Sequence, residues 1–116
     1  MVHGIASTDL VIAMGKAGMM GFFGTGGLSV SAIEQAIIAI KHALGEAPYG
    51  MNLLHAPDNP AYEDALVDLY LRHGVTRIEA SAFMQITPAL VGYRLAGLYR
   101  AAGGSIATRH LIMAKL

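Results

Sequence analysis

Apolar positions along this chain follow two rhythms in alternation. Short, nearly continuous apolar runs at Met19 to Gly24 (MMGFFG), Tyr49 to Leu54 (YGMNLL), Thr76 to Ser81 (TRIEAS) and His110 to Lys115 (HLIMAK) predict four strands. Between them the apolar residues recur at helical spacing. Ser7 is placed to cap a first helix, whose apolar positions Leu10, Ile12 and Ala13 precede a stop at Gly18. In the second helix Ile33, Ala36, Ile37, Ile40 and Leu44 form one stripe that ends at Gly45. Ser31 with Glu34 has the spacing of a capping box there, and Ser29 is an equally good cap. Asn59 and Pro60 open a third helix and Gly74 closes it, because proline in the first turn gives up no hydrogen bond. Thr87 and Pro88 repeat that opening for a fourth helix, predicted to run into Gly103 and Gly104.

The predicted order is α-β-α-β-α-β-α-β, and right-handed crossovers between such units give a parallel sheet. Polar and glycine residues gather where each strand gives way to the next helix, which in a parallel α/β protein is the ligand-binding edge. An α/β barrel needs eight such units and typically about 250 residues. Four units fill all 116 residues of this chain. The expected fold is therefore α/β, a partial (βα)8 barrel of about four units, with residues 1–116 forming a piece of a larger enzyme cut at both ends. A sheet of this kind standing alone would leave an apolar edge uncovered.

Composition supports a buried sheet. The chain is 54% hydrophobic and 14% charged, with a mean hydropathy of +0.49, as expected where parallel strands are covered on both faces. A spanning helix needs roughly 20 uninterrupted apolar residues. Lys16, Glu34, Lys41 and the glycines break every run before that, so no membrane association is expected. No basic leader precedes an apolar segment and cleavage site, which points to a cytoplasmic protein. Eight Lys plus Arg balance eight Asp plus Glu, so there is no basic stripe to displace counterions and nucleic acid is not an expected partner. The absence of cysteine removes disulfides, thiolate nucleophiles and Cys-based metal sites together. His3, His42, His55, His73 and His110 have no second ligand at helical i, i+4 spacing, so no metal site is expected.

The chemically suggestive residues lie at predicted strand ends. Gly24-Thr25-Gly26-Gly27 joins the first strand to the second helix, where backbone N–H groups and a helix N-terminus can face a phosphate or a flavin ring. The same residues also read as a tight turn that needs positive φ. Asn52 sits inside an apolar strand and must find partners, either in a neighbouring loop or in a ligand. Ser81 ends the third strand, and Gln85 and Thr87 follow it as a solvated loop and a cap. His55 follows the second strand as a loop or capping histidine within reach of a site. Glu79 is either a barrel-facing carboxylate or the partner of Arg77 or Arg94. Lys115 ends the fourth strand, where a cation can hold a phosphate or a substrate carbonyl.

A family resemblance runs through these same residues. Met1-Val-His-Gly-Ile-Ala-Ser, Leu-Val-Ile-Ala-Met-Gly-Lys-Ala-Gly (10 to 18), Gly-Phe-Phe-Gly-Thr-Gly-Gly-Leu-Ser (21 to 29) and Tyr-Gly-Met-Asn-Leu-Leu-His (49 to 55) carry its first half. Glu-Ala-Ser-Ala-Phe-Met-Gln-Ile-Thr-Pro-Ala-Leu (79 to 90), Tyr-Arg-Leu-Ala-Gly-Leu (93 to 98) and Ile-Met-Ala-Lys (112 to 115) carry the rest. Together they resemble the PfaD family. These are the flavin-dependent enoyl reductases of polyunsaturated fatty acid synthases and trans-acyltransferase polyketide synthases, related to nitronate monooxygenase (2-nitropropane dioxygenase).

The resemblance implies an FMN-binding TIM barrel in which NADPH reduces the flavin, and the flavin reduces an enoyl group carried on an acyl-carrier protein. It places Met1 on the methionine that ends the family's first strand and touches the flavin. Asn52 falls on the asparagine of a Gly-x-Asn-Leu motif that contacts FMN, and Gly26 and Ser81 occupy strand-end positions facing the same pocket. By this resemblance residues 1–116 are the N-terminal half of the barrel. The flavin phosphate site and the catalytic histidine belong to later units, so none of the five histidines takes that role, and the piece alone is expected to bind FMN poorly and to be inactive. Two other readings stand beside it. One is a nitronate monooxygenase, which the Ala-Ser-Ala-Phe-Met-Gln stretch argues against; the other is a non-enzymatic half-barrel that assembles through its open sheet edges into an oligomer.

Overall fold

Four helices begin where a side-chain oxygen can take up a free N–H. The computed structural model of the protein describes residues 7–83, 87–100 and 103–115. Ser7 accepts from Leu10 N–H and starts α1 (Thr8–Lys16). At α2 (Val30–Leu44) the cap is Ser29, which accepts from Ala32 N–H, and Ser31 lies inside the first turn. Asn59 caps α3 (Pro60–Arg72) and Thr87 caps α4 (Pro88–Ala96), each followed by its proline. Gly18, Gly45 and Gly74 stand just past three of the helices with φ of +82°, +57° and +68°, a region that costs any residue with a Cβ.

The strands lie within the predicted runs and are slightly shorter. β1 (Phe22–Phe23), β2 (Gly50–Leu54), β3 (Arg77–Ser81) and β6 (Leu111–Lys115) form one parallel sheet in the order β1-β2-β3-β6. Asn52 pairs with Glu79, Leu54 with Ser81, and Ser81 in turn with Lys115. Each helix lies beside the next, α1 on α2, α2 on α3 and α3 on α4. Sequential strands with sequential helices are a singly wound arc of an αβ barrel; a doubly wound sheet would reverse its strand order partway.

Side chains alternate across the sheet. Met51, Leu53, Ile78 and Ala80 turn toward the helices and are buried in one core with Ile33, Ile37 and Ile40 of α2 and Leu66, Leu69 and Tyr70 of α3. A fully buried Ile or Leu stabilises by about 1.5–3 kcal/mol and a helix cap by about 1, so packing of the isoleucine stripe holds α2 in place far more than Ser29 does. The opposite face carries Asn52, Leu54, Glu79 and Ser81. Among the described residues no helix is long and apolar enough to cross a membrane.

One element departs from expectation. The fourth helix ends at Ala96 and does not reach Gly103, and the chain continues as an antiparallel hairpin of β4 (Leu98–Arg100) and β5 (Ile106–Thr108). The physical cause is His110. Its Nδ1 donates to the Tyr93 carbonyl at 2.7 Å and its ring stacks on Tyr93 with centroids 4.6 Å apart. Only a glycine admits it, since a Cβ at Gly97 would stand 2.6 Å from His110 Cγ. Arg109 N–H and the Thr108 hydroxyl then satisfy the Gly97 and Arg94 carbonyls, each at 2.9 Å. Gly103 and Gly104, with φ of +96° and +87°, turn the hairpin and do not stop the helix.

Candidate functional site at the carboxyl end of the sheet

The loop after β1 brings Thr25 against β2. Leu28 N–H donates to the Thr25 carbonyl at 3.1 Å, and Gly27 supplies the positive φ, +79°, that this turn needs at its third position. Thr25 is 2% exposed, and its hydroxyl reaches the Asn52 carbonyl at 3.2 Å and Asn52 Oδ1 at 3.4 Å. Asn52 is itself 6% exposed. Its Nδ2 donates to the Glu79 carbonyl at 3.2 Å and to Ser81 Oγ at 2.8 Å. A main-chain carbonyl only accepts, so the amide nitrogen must face β3 and the amide oxygen must face Thr25. From behind the sheet Tyr70 donates its hydroxyl to the Asn52 carbonyl at 2.7 Å. Burial pushes the Tyr70 phenol well above its ordinary value, with Tyr62 and Tyr93 adding to the rise, so it remains a donor.

Immediately after Ser81 the backbone is strained. Ala82 has φ of +63°, a conformation costing roughly 1–2 kcal/mol for a residue with a Cβ. The sharp turn ends β3 at Ser81 and sets Phe83 against the His55 ring, with centroids 4.6 Å apart. His55 is the edge of a second polar group. Buried Glu63 accepts from His55 Nδ1 at 2.8 Å and from Ala56 N–H at 3.2 Å through Oε2, and from the Thr87 hydroxyl at 3.3 Å through Oε1. A carboxylate taken out of water needs such compensation. Here it ties the β2–α3 turn to the start of α4. A cleft of about 380 Å³ runs between them, walled in part by His55, Glu63, Asp64 and Thr87.

The predicted residues separate clearly. Asn52 and Ser81 are brought into direct hydrogen-bonding contact, and Gly26 lies in the turn that delivers Thr25 to them. Met1 and Gln85 lie outside the described residues. Thr87 is a cap, as its position suggests, and His55 is held by Glu63. Thr25, Tyr70 and Glu63 are not legible in the sequence as members of the site. Thr25 stands in a glycine-rich turn, Tyr70 in a helical apolar stripe and Glu63 in the first turn of a helix, where acidic residues are routine.

Charge divides the two ends of the sheet. Lys16, Lys41, His42, Arg72 and Arg94 occupy the last turns of their helices, at the amino-terminal ends of the strands, where they complement the helix dipoles. The carboxyl end presents hydroxyl, amide and glycine backbone groups beside buried Glu63 and its partner His55. Every buried side-chain nitrogen and oxygen among the described residues has a partner. The Thr25, Asn52 and Ser81 groups are neutral donors and acceptors of a kind that suits the edge of a planar heterocycle.

No protein-family model matches the chain. It is 56% identical over 118 residues to the polyketide biosynthesis protein ThaF of Burkholderia thailandensis, covering all of this chain and 10% of that protein. It is also 49% identical to a polyunsaturated fatty acid synthase component of Thraustochytrium sp. and 45% identical to the polyketide biosynthesis protein PksE of Bacillus subtilis, covering 8% and 15% of them. Among solved structures it superposes, with a TM-score of 0.94 and 43% identity over its whole length, on 27% of the enoyl reductase domain of MlnA from the macrolactin biosynthesis cluster of Bacillus amyloliquefaciens. These similarities agree with the resemblance to the PfaD family. The chain spans less than a sixth of the length of the curated relatives just described. The resemblance accords with a parallel αβ arc whose polar groups gather at its carboxyl end.

Proposed function

We propose that this segment forms one wall of the flavin pocket in an FMN-dependent enoyl reductase. The reductase acts on enoyl groups carried by an acyl-carrier protein, with NADPH as reductant, in polyketide or polyunsaturated fatty acid biosynthesis. The observation that carries the proposal is the hydrogen-bonded group of Thr25, Asn52 and Ser81, one residue from each of three successive βα units. Its support from outside the chain is the similarity to a solved enoyl reductase domain and to proteins named for those two biosynthetic systems.

FMN, when bound, supplies hydride transfer from NADPH to the β-carbon of the enoyl group. The residues of this segment bind and orient. Asn52 and Ser81 form one hydrogen-bonded unit facing the ring edge, Gly26 lets backbone approach it, and Met1 is assigned to the flavin by the family resemblance alone. The apolar core behind β2 and β3 excludes water from that side. Groups for the phosphate and for protonating the substrate belong to the remainder of the barrel in this reading. The acyl-carrier protein is a protein partner of the complete enzyme, in keeping with the synthase systems of the relatives.

The test is a substrate comparison. The complete enzyme, reconstituted with FMN, is supplied with NADPH and a crotonyl thioester, and separately with a nitronate and oxygen. Stoichiometric thioester reduction with no nitronate oxidation is expected. Nitronate turnover without thioester reduction would replace the proposal by the monooxygenase reading.

A further inference from the structure

The first turn of α3 reaches into three successive βα units. Asn59 and Pro60 start the helix, and Asn59 Oδ1 accepts from Tyr62 N–H at 3.2 Å. Farther along, Leu66, Leu69 and Tyr70 are fully buried, so the helix is fixed against the sheet. From this base Tyr62 donates its hydroxyl to the Leu28 carbonyl at 2.6 Å, 34 residues away, in the turn that carries Thr25 and Gly26. Glu63, the next residue, reaches the other way. Its Oε2 accepts from His55 Nδ1 and Ala56 N–H in the turn after β2, and its Oε1 accepts from the Thr87 hydroxyl at the start of α4. Two neighbouring side chains therefore tie the β1–α2 loop, the β2–α3 loop and the start of α4 to one rigid support. Glu63 is buried and Tyr62 half-buried, so neither contact is a fully solvated one that water would readily replace.

We infer that Tyr62 and Glu63 are positioning residues that set the loops of three successive units in place before a ligand arrives. A loop already held in its bound conformation loses no binding free energy to ordering. The Tyr62 hydroxyl aligns the β1–α2 turn, and the Glu63 carboxylate aligns the β2–α3 turn with α4; neither side chain touches the ligand. The inference rests on the flavin reading proposed above and assigns the residues that hold the rim of that pocket, not those that contact the cofactor.

Hydrogen exchange and FMN affinity test it together, on apo-protein of the complete enzyme, with the thermal midpoint of each variant recorded. Tyr62→Phe is expected to speed exchange in the peptide carrying Leu28, whose N–H closes the turn on the Thr25 carbonyl, and to weaken FMN binding about three- to tenfold. At saturating FMN its kcat should stay within about twofold of the parent, because the reacting groups are untouched. Glu63→Ala is expected to speed exchange in the peptide carrying Ala56 and to weaken FMN binding by a similar factor. Glu63→Gln, whose carbonyl still accepts and whose amide can donate to the Thr87 hydroxyl, should restore most of both. A merely structural role predicts lowered thermal midpoints with an unchanged dissociation constant, and that result overturns the inference while leaving the flavin reading intact. An unmutated apo-protein that binds no FMN removes the flavin reading and this inference together. Should Glu63→Ala not fold, Tyr62→Phe decides the question by itself, and an unchanged affinity in that variant overturns the inference.

Discussion

Asn52 is held on every side, by Thr25, Glu79 and Ser81 through its side chain and by Tyr70 through its carbonyl. Replacing its amide with a carboxylate places an acceptor against the Glu79 carbonyl. Asn52→Asp should therefore cost more stability at neutral pH than Asn52→Ala, which costs about 1–3 kcal/mol; urea unfolding of both variants checks the order. Ala82 works in the opposite direction. In ordinary backbone Ala→Gly destabilises, but at φ of +63° the glycine relieves strain, so Ala82→Gly should stabilise by about 0.5–1 kcal/mol in the same assay. The phenols of Tyr70 and Tyr93 are pushed up by burial. The fold thus keeps protons that the unfolded chain gives up above about pH 10, and stability should be level below that value and fall above it. Tyr93→Phe, which costs the Val75 hydrogen bond, should flatten that fall in a series of unfolding curves at rising pH. At this scale Asn52 and Ser81 are legible because polar residues stand out in apolar strands. Their partners are not, since Thr25 and Tyr70 lie 27 and 18 residues from Asn52 and nothing local marks them.

Element boundaries are set by single residues with two meanings. Ser29 and Ser31 both have capping credentials, and geometry chooses Ser29. Ser29→Ala should cost about 1 kcal/mol and Ser31→Ala close to nothing, as chemical denaturation of the two variants will show. Glycine is the greater ambiguity. Gly97 ends α4 because His110 occupies the space of its missing side chain, a packing fact carried by a residue far along the chain. Gly103 and Gly104 carry the same local signal and form a hairpin turn instead, so β4 and β5 look like helix in the sequence. Gly97→Ala should destabilise by about 1–3 kcal/mol through overpacking alone, since φ of −90° suits alanine. Hydrogen exchange should place the loss first in β4 and β5, which depend on the His110 contact.

Across the molecule the pattern of strands and helices is legible because each βα unit buries its own apolar stripe and needs little from its neighbours to be recognised. What is not legible is how the polar groups of three successive units meet, which depends on register. That convergence carries the account of this segment as a flavin-pocket wall. The most direct test is a crystal structure of the complete enzyme grown with FMN. The account predicts the flavin ring lying against the carboxyl ends of β1, β2 and β3, with its edge within hydrogen-bonding distance, about 3 Å, of Asn52 or Ser81. A flavin bound away from those strand ends, or a ring edge that meets neither Ser81 nor Asn52, would contradict it.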